Sequence, residues 1–397
     1  MRVLSVVGAR PNFMKLAPVD RELAKRSDVE HVVVHTGQHG DPGMSAALLE
    51  QLWIPAPDHH LGVTSGSHAQ QTARVMQRLE PILTELHPDL VLVYGDADST
   101  VAAALTAAKL GLRVGHVEAG LRSGDWSMPE EVNRVVTDRL SDLLFAPSRE
   151  ALANLALEGI PAERVHFVGN VMIDTLCWAL PLAHELNAPA RHGVAGAPYA
   201  VVTLHRPTNV DEPAVWRELC QALERLGGEM IVLFPAHAQT RERLYALGAH
   251  GNGNGNGNGN GLRLLEPLGY VEMLSLVAGA ELVITDSGGL QEETTFLGVP
   301  CLTVRANTER PVTCLHGPNR LVAPRCEAVL AAAARARQRR SPARPVIERW
   351  DGRAAERIAR VVCEGVGYDA DDTESSVAAA PHRARRAAAV PQPSGVV

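Results

Sequence analysis

Short apolar runs punctuate the chain at regular intervals. In the first half they are VLSVVG (3–8), HVVVH (31–35), LVLVY (90–94), RVGHV (113–117), LLFAP (143–147) and VHFVG (165–169). Between them lie stretches with helical spacing of apolar residues, such as 11–26 and 68–86. The second half repeats the style with YAVVTL (199–204), EMIVLFP (229–235), LRLLEP (262–267), ELVITD (281–286) and PCLTV (300–304). Runs of four to seven apolar residues alternating with helix-period segments predict parallel strands covered by helices on both faces. The expected fold is therefore α/β, with two Rossmann-like doubly wound domains. The first covers 1–170 and the second 171–344. A helix over 345–365 returns to the first. Near 169–198 the helix-like MIDTLCWAL leads into HELNAPARHGVAGAP, rich in Pro, Gly and Ala, which reads as the link between them. GNGNGNGNGNG (251–261) cannot bury apolar surface and reads as a flexible loop. The tail 367–397, mixing DADDTE with Ala, Pro and Arg, reads as disordered.

Composition narrows the class. At 397 residues the chain exceeds one ordinary core. With 46% hydrophobic and 21% charged residues it reads as a soluble globular protein. A net charge of −7 gives no general attraction to nucleic acid or to an anionic membrane. No apolar run is long enough to span a bilayer, and MRVLSVVGARP reads as a first strand, not a signal peptide. The six cysteines show no Cys-x-x-Cys, so free thiols in the cytoplasm are expected. The 16 histidines show no zinc spacing. The pairs His59-His60 and His35/His39 read as surface or loop positions, and no metal is expected.

The densest chemistry lies in HVEAGLRSGDWSMPEEVNR (116–134), which carries Glu118, Asp125, Glu130 and Glu131 beside Arg122 and Arg134. Asp96 closes the preceding strand, so Asp96 and Glu118 should sit at the carboxyl ends of neighbouring parallel strands. Ligands bind at that edge in open α/β sheets. Clustered carboxylates suit proton transfer, and Arg134 beside them suits binding of a phosphate-bearing substrate. GARPNFMK (8–15) is neither GxGxxG nor a GxxxxGK loop. It places Arg10 and Lys15 around a helix N-terminus, which suits an anion; a solvated surface turn fits it equally well. TDSGGLQEE (285–293) repeats the logic. Ser287, Gly288 and Gly289 form a turn where backbone N–H groups can approach a phosphate, and Glu293 follows one helical turn later. TLHRPTNV (203–210) adds His205 and Arg206, and NTERP (307–311) adds Arg310.

With these residues together, the chain resembles the non-hydrolysing UDP-N-acetylglucosamine 2-epimerases over roughly residues 1–365. GARPNFMKLAP, TGQH, VYGDADST, HVEAGLRSGD, MPEEVNR, GNVMIDTL, TLHRPTNV, TDSGGLQEE and TERP all have counterparts in order. The resemblance implies two Rossmann-like domains facing a cleft, as in glycosyltransferase-B enzymes. It implies that Asp96, Glu118 and Glu130 are catalytic carboxylates and His205 the essential histidine. It matches Arg10, Lys15, Ser287, Gly288, Gly289, Glu293 and Arg310 to nucleotide-sugar binding positions. The implied reaction eliminates UDP to a 2-acetamidoglucal and returns it to the epimer, UDP-N-acetylmannosamine, with no cofactor. The implied setting is cell-surface polysaccharide biosynthesis, and a homodimer is expected. Where allosterically activated relatives carry Gln-His-Arg-Gln and Arg-Gln-Thr, this chain has Gln38-His39-Gly40-Asp41 and Gln70-Gln71-Thr72, which argues against activation by substrate. Competing readings are a hydrolysing epimerase, an epimerase for a modified UDP-sugar, a glycosyltransferase and a nucleotide-sugar sensor without catalysis.

Overall fold

A computed structural model describes residues 1–38, 48–236, 238–246, 261–338 and 344–364. The Gly-Asn repeat up to 260, the tail from 365, and the positions of His39, Gly40 and Asp41 lie outside them. Seven parallel strands build the first sheet, in the order β3-β2-β1-β4-β5-β6-β7. They are β1 Arg2–Val7, β2 Glu30–His35, β3 His59–His60, β4 Leu90–Tyr94, β5 Val114–Val117, β6 Leu143–Ala146 and β7 Val165–Phe167. Six parallel strands build the second, in the order β10-β9-β8-β11-β12-β13. These are β8 Tyr199–Thr203, β9 Ile231–Pro235, β10 Leu262–Leu265, β11 Leu282–Thr285, β12 Cys301–Thr303 and β13 Asn319–Leu321. The fold is thus the doubly wound α/β pair that the alternation predicts. Strand order reverses between β1 and β4 in one sheet and between β8 and β11 in the other, the positions where such sheets bind ligands.

Central strands are buried on both faces because helices cover both sides. Every residue of β4 and β11 is buried. The helices that matter for the site are α1 Arg10–Leu23, α2 Asp98–Lys109, α3 Pro129–Leu140, α4 Val171–Leu186, α5 Tyr270–Ala278, α6 Gly288–Leu297 and α7 Ala354–Glu364. Among the described residues no helix is long and apolar enough to cross a membrane.

Three local expectations change. His59-His60 lies at the surface as an edge strand too short to show alternation, but its partner His35, expected at the surface or in a loop, is buried on β2. The expected link near 169–198 begins with a long, packed helix. Its helix α4 buries Ile173 and Leu176 in one core with Phe13 and Leu16 of α1 and Leu274 and Phe296 of the second half. The returning helix starts at Ala354, not near 345, because Arg349 (φ 59°) and Gly352 (φ 77°) turn the chain first. Its first N–H groups, on Ala354 and Ala355, donate to Asp174 of α4 at 3.1 and 2.7 Å. Ile358 and Ala359 then pack into the core that contains α1.

Candidate functional site

Strand ends of the two sheets supply the site. β4 ends in Gly95, whose φ of 66° favours glycine. A Cβ there would lie 2.5 Å from Lys15 Nζ, so the glycine lets the lysine reach across the turn. Asp96 follows, with Arg134 of α3 at 2.5 Å. Burial pushes the Asp96 carboxyl up, but Arg134 and Lys15 outweigh it and hold the group below its ordinary range. β5, the parallel neighbour of β4, ends one residue before Glu118. Glu118 adopts φ 76°, unusual for a residue with a side chain, and is 7% exposed. One carboxylate oxygen takes Lys15 Nζ, and the other lies 3.0 Å from Arg310 of the second half.

The acidic doublet at the start of α3 splits. Glu131 is buried. It accepts the backbone N–H groups of Ser123 and Gly124 at 2.9 and 2.8 Å and also binds Arg134. It shapes the loop before the helix, a role the sequence reading did not assign. Glu130 is partly exposed, and none of the described residues gives it a hydrogen bond. Its charge favours the charged form of Arg206 in the second half.

The second half centres on Asp286, fully buried just after β11 and not singled out from the sequence. It accepts the backbone N–H groups of His205 and Arg206 at 3.0 and 2.9 Å and the Asn209 amide at 3.0 Å. Burial opposes its charge, but His205 and these donors hold its pKa low. Asp286 Oδ1 also lies 3.0 Å from His205 Nδ1, and the histidine side chain is more than half exposed. The carboxylate thus orients the ring and leaves Nε2 for a ligand.

Ser287 is the N-cap of α6 and makes no capping bond with its side chain. Its own N–H donates to Thr285 Oγ1 at 2.9 Å. None of the described residues accepts from the N–H groups of Gly288 and Gly289, which are the free donors of a helix start. A Cβ on Gly288 would lie 2.5 Å from an Arg310 nitrogen, so this glycine is needed for the arginine's approach. Arg310 is buried against three carboxylates: Glu118 at 3.0 Å, Glu292 at 2.7 Å, and Glu309. Glu309 also takes Arg305 at 2.7 Å, and the two arginines hold its carboxyl far below the usual range despite burial. Burial pushes Glu292 up to about 7, opposed by Arg310. Glu293 rises to about 7 for the same reason, eased by the Tyr270 hydroxyl and by Arg10.

Lys15, Arg134, Arg305 and Arg310 each hold carboxylates. Arg10 and Arg206 do not: among the described residues no carboxylate makes an ion pair with either. Burial lowers the pKa of both. One comes from each half of the chain, and both are partly buried cations suited to an anion. Of the positions expected from the sequence, Lys15, Glu118 and Arg310 meet directly, and Asp96 meets Arg134. His237, which follows β9 in the chain, lies outside the described residues.

The profile of the UDP-N-acetylglucosamine 2-epimerase family matches residues 21–363. The chain is 40% identical over 314 residues to a UDP-N-acetylglucosamine 2-epimerase of Methanococcus maripaludis, covering 78% of this chain and 84% of that one. It is also 40% identical to the UDP-2,3-diacetamido-2,3-dideoxy-D-glucuronate 2-epimerase of Pseudomonas aeruginosa, over 81% of this chain and 88% of that one. Its fold matches the Methanocaldococcus jannaschii UDP-GlcNAc 2-epimerase in complex with UDP-GlcNAc and UDP, with a TM-score of 0.84 and 36% identity. That match covers 92% of this chain and all of the other.

Proposed function

The chain belongs to the UDP-N-acetylglucosamine 2-epimerase family, and from that premise we propose that it reversibly inverts C2 of UDP-N-acetylglucosamine. The observation that carries this reading is the meeting of first-half carboxylates with a second-half anion cradle at the Glu118–Arg310 pair. The C2 proton of the sugar is poorly acidic, since no carbonyl adjoins it. Breaking the C1–O bond first gives oxocarbenium character and acidifies C2. Arg10, Arg206 and the free N–H groups of Gly288 and Gly289 receive the charge of the departing diphosphate. Asp96 and Glu118, both ion-paired, are anions beside the developing positive charge. Glu130, without a hydrogen-bond partner among the described residues, is the carboxylate free to carry a proton. His205 Nε2 faces the leaving group. Loss of the C2 proton gives a 2-acetamidoglucal. Protonation from the other face and return of UDP give UDP-N-acetylmannosamine.

A uronate sugar, as in the name of the Pseudomonas relative, would bring a further carboxylate. Among the described site cations only Arg10 and Arg206 lack an ion pair, and two phosphates match two arginines. A neutral hexosamine is therefore the better fit. A cytoplasmic homodimer belongs to the same proposal; light scattering after gel filtration reads the oligomeric state.

Incubation with UDP-GlcNAc in deuterated water, followed by NMR, tests the reaction. Solvent deuterium at C2 of both UDP-sugars is expected without added cofactor. Free N-acetylmannosamine as the main product would mean the hydrolysing reaction instead. Turnover of a uronate alone would refute the cation argument.

Two further outcomes concern binding. Arg10→Ala and Arg206→Ala should each weaken UDP binding about 10- to 100-fold, since a hydrogen bond to a charged group contributes about 1.5–3 kcal/mol. Calorimetric titration reads this, and an unchanged Kd for either would remove that residue from the diphosphate site. Uridine affinity should also rise from pH 6 to pH 8. Glu293 is proposed to accept the ribose hydroxyls, which requires the ionised form, and burial lifts its pKa to about 7. The linked effect on stability has the opposite sign. A folded pKa above the ordinary glutamate value of about 4.3 means that this group's contribution falls as pH rises toward 7. Glu293→Gln should flatten the uridine profile; a slope that persists would assign it to another group.

A further inference from the structure

His116 is fully buried on β5 and has no part in the chemistry above. Its Nε2 lies 2.8 Å from the carbonyl oxygen of Gly95, and its Nδ1 lies 2.6 Å from Asp138 Oδ1. A carbonyl oxygen only accepts, so Nε2 carries a hydrogen. Asp138 Oδ2 accepts the Gly120 N–H at 3.0 Å and Arg122 at 2.7 Å. Arg122 pairs with this buried carboxyl and favours its ionised form. Both Asp138 oxygens therefore accept, and Nδ1 carries a hydrogen as well.

We propose that His116 is a doubly protonated positioning residue that, with Asp138, locks together the two strand-end turns bearing Asp96 and Glu118. The proposal rests on the epimerase reading for its effect on turnover, but not for the state of the ring. Gly95 immediately precedes Asp96, and Gly120 follows Glu118 by two residues. Both glycines hold left-handed backbone, at φ 66° and 84°. The ring pins the first through its carbonyl, and Asp138 pins the second through its N–H. Asp138 sits on α3, the helix that also carries Glu130 and Arg134. One buried pair thus ties β4, β5 and α3 together beneath three carboxylates. A neutral ring has a single N–H and could not donate in both directions. Arg122, which also binds Glu158 at 2.7 Å, balances the remaining charge of Asp138.

The test is NMR of the histidine ring nitrogens in full-length protein at pH 7.5, paired with kinetics. Wild type should show a histidine with both ring nitrogens protonated, and the signal should vanish in Asp138→Asn and in His116→Gln. His116→Gln should lower kcat about 100-fold, as expected for catalytic groups displaced by about an ångström, while UDP affinity stays within a few-fold. Asp138→Asn lets a neutral ring keep both bonds, because the amide can donate to Nδ1. Its kcat should stay within about tenfold of wild type, well above that of His116→Gln. A wild-type spectrum with no such histidine overturns the proposal, as does wild-type kcat in folded His116→Gln. If His116→Gln does not fold, the wild-type and Asp138→Asn spectra decide. If UDP-GlcNAc proves not to be a substrate, the ring signal is unaffected, so the two failures are told apart.

Discussion

Replacing Glu118 with glutamine is expected to lower kcat by about 100-fold or more, the usual loss when a preorganised charge that stabilises the transition state is removed. Glu118 lies between Lys15 and Arg310, and its φ of 76° is a conformation few side-chain-bearing residues adopt. Glutamine keeps the shape and removes the charge. The site then holds two cations without their shared anion, so its potential becomes more positive. UDP, an anion, should bind at least as well as before. Asp96→Asn and Glu130→Gln should also reduce kcat with UDP affinity within a few-fold. Their surroundings differ: Asp96 is fixed by Arg134, whereas Glu130 has no hydrogen-bond partner among the described residues. Steady-state kinetics with UDP titration separates these effects. Parallel loss of kcat and UDP affinity in Glu118→Gln would make the residue part of the binding site or the fold, and not a catalytic group.

The second large effect is on stability. Arg310→Met should destabilise the protein by about 3–5 kcal/mol, the range seen when one member of a buried ionic cluster is removed. Methionine fills much of the volume but leaves Glu118, Glu292 and Glu309 without the cation they share. Repulsion among them should depend on pH. Burial already pushes the Glu292 carboxyl well up with the arginine present. Without Arg310 its carboxyl should move further up. The variant then takes up a proton more readily than wild type, and the gap in melting temperature should narrow from pH 8 to pH 6. Thermal melts across that range give the answer. A variant that melts like wild type at pH 8 would mean that this cluster does not bear on folding.

Several site features are legible from the sequence because they are local. LVLVYGD and VGHVE place an acid directly after an apolar run, and the run itself forces burial between helices. Ser287-Gly288-Gly289 sits between an apolar run and a helical pattern, so a turn with free N–H groups follows from the small residues alone. Short or irregular pieces are harder to read. β3 and β13 have two and three residues, too few for any periodicity. The start of α7 is displaced to Ala354 by backbone turns at Arg349 and Gly352 and by Asp174, which lies 180 residues away along the chain.

By itself, the sequence determined that there are two α/β halves, which residue types gather at the strand ends, and where the phosphate-type turns lie. Each follows from neighbours along the chain: apolar runs that must be buried, glycines that permit tight turns, and charges placed beside them. Only the tertiary structure decided how those charges pair. Glu118 finds Arg310 across 192 residues, and Asp286 rather than the exposed histidine organises the 205–209 turn. Glu131 is buried and Glu130 is not, although they adjoin in sequence. The physical reason is that a carboxylate's partner and its desolvation depend on distances in space, which periodicity along the chain does not encode.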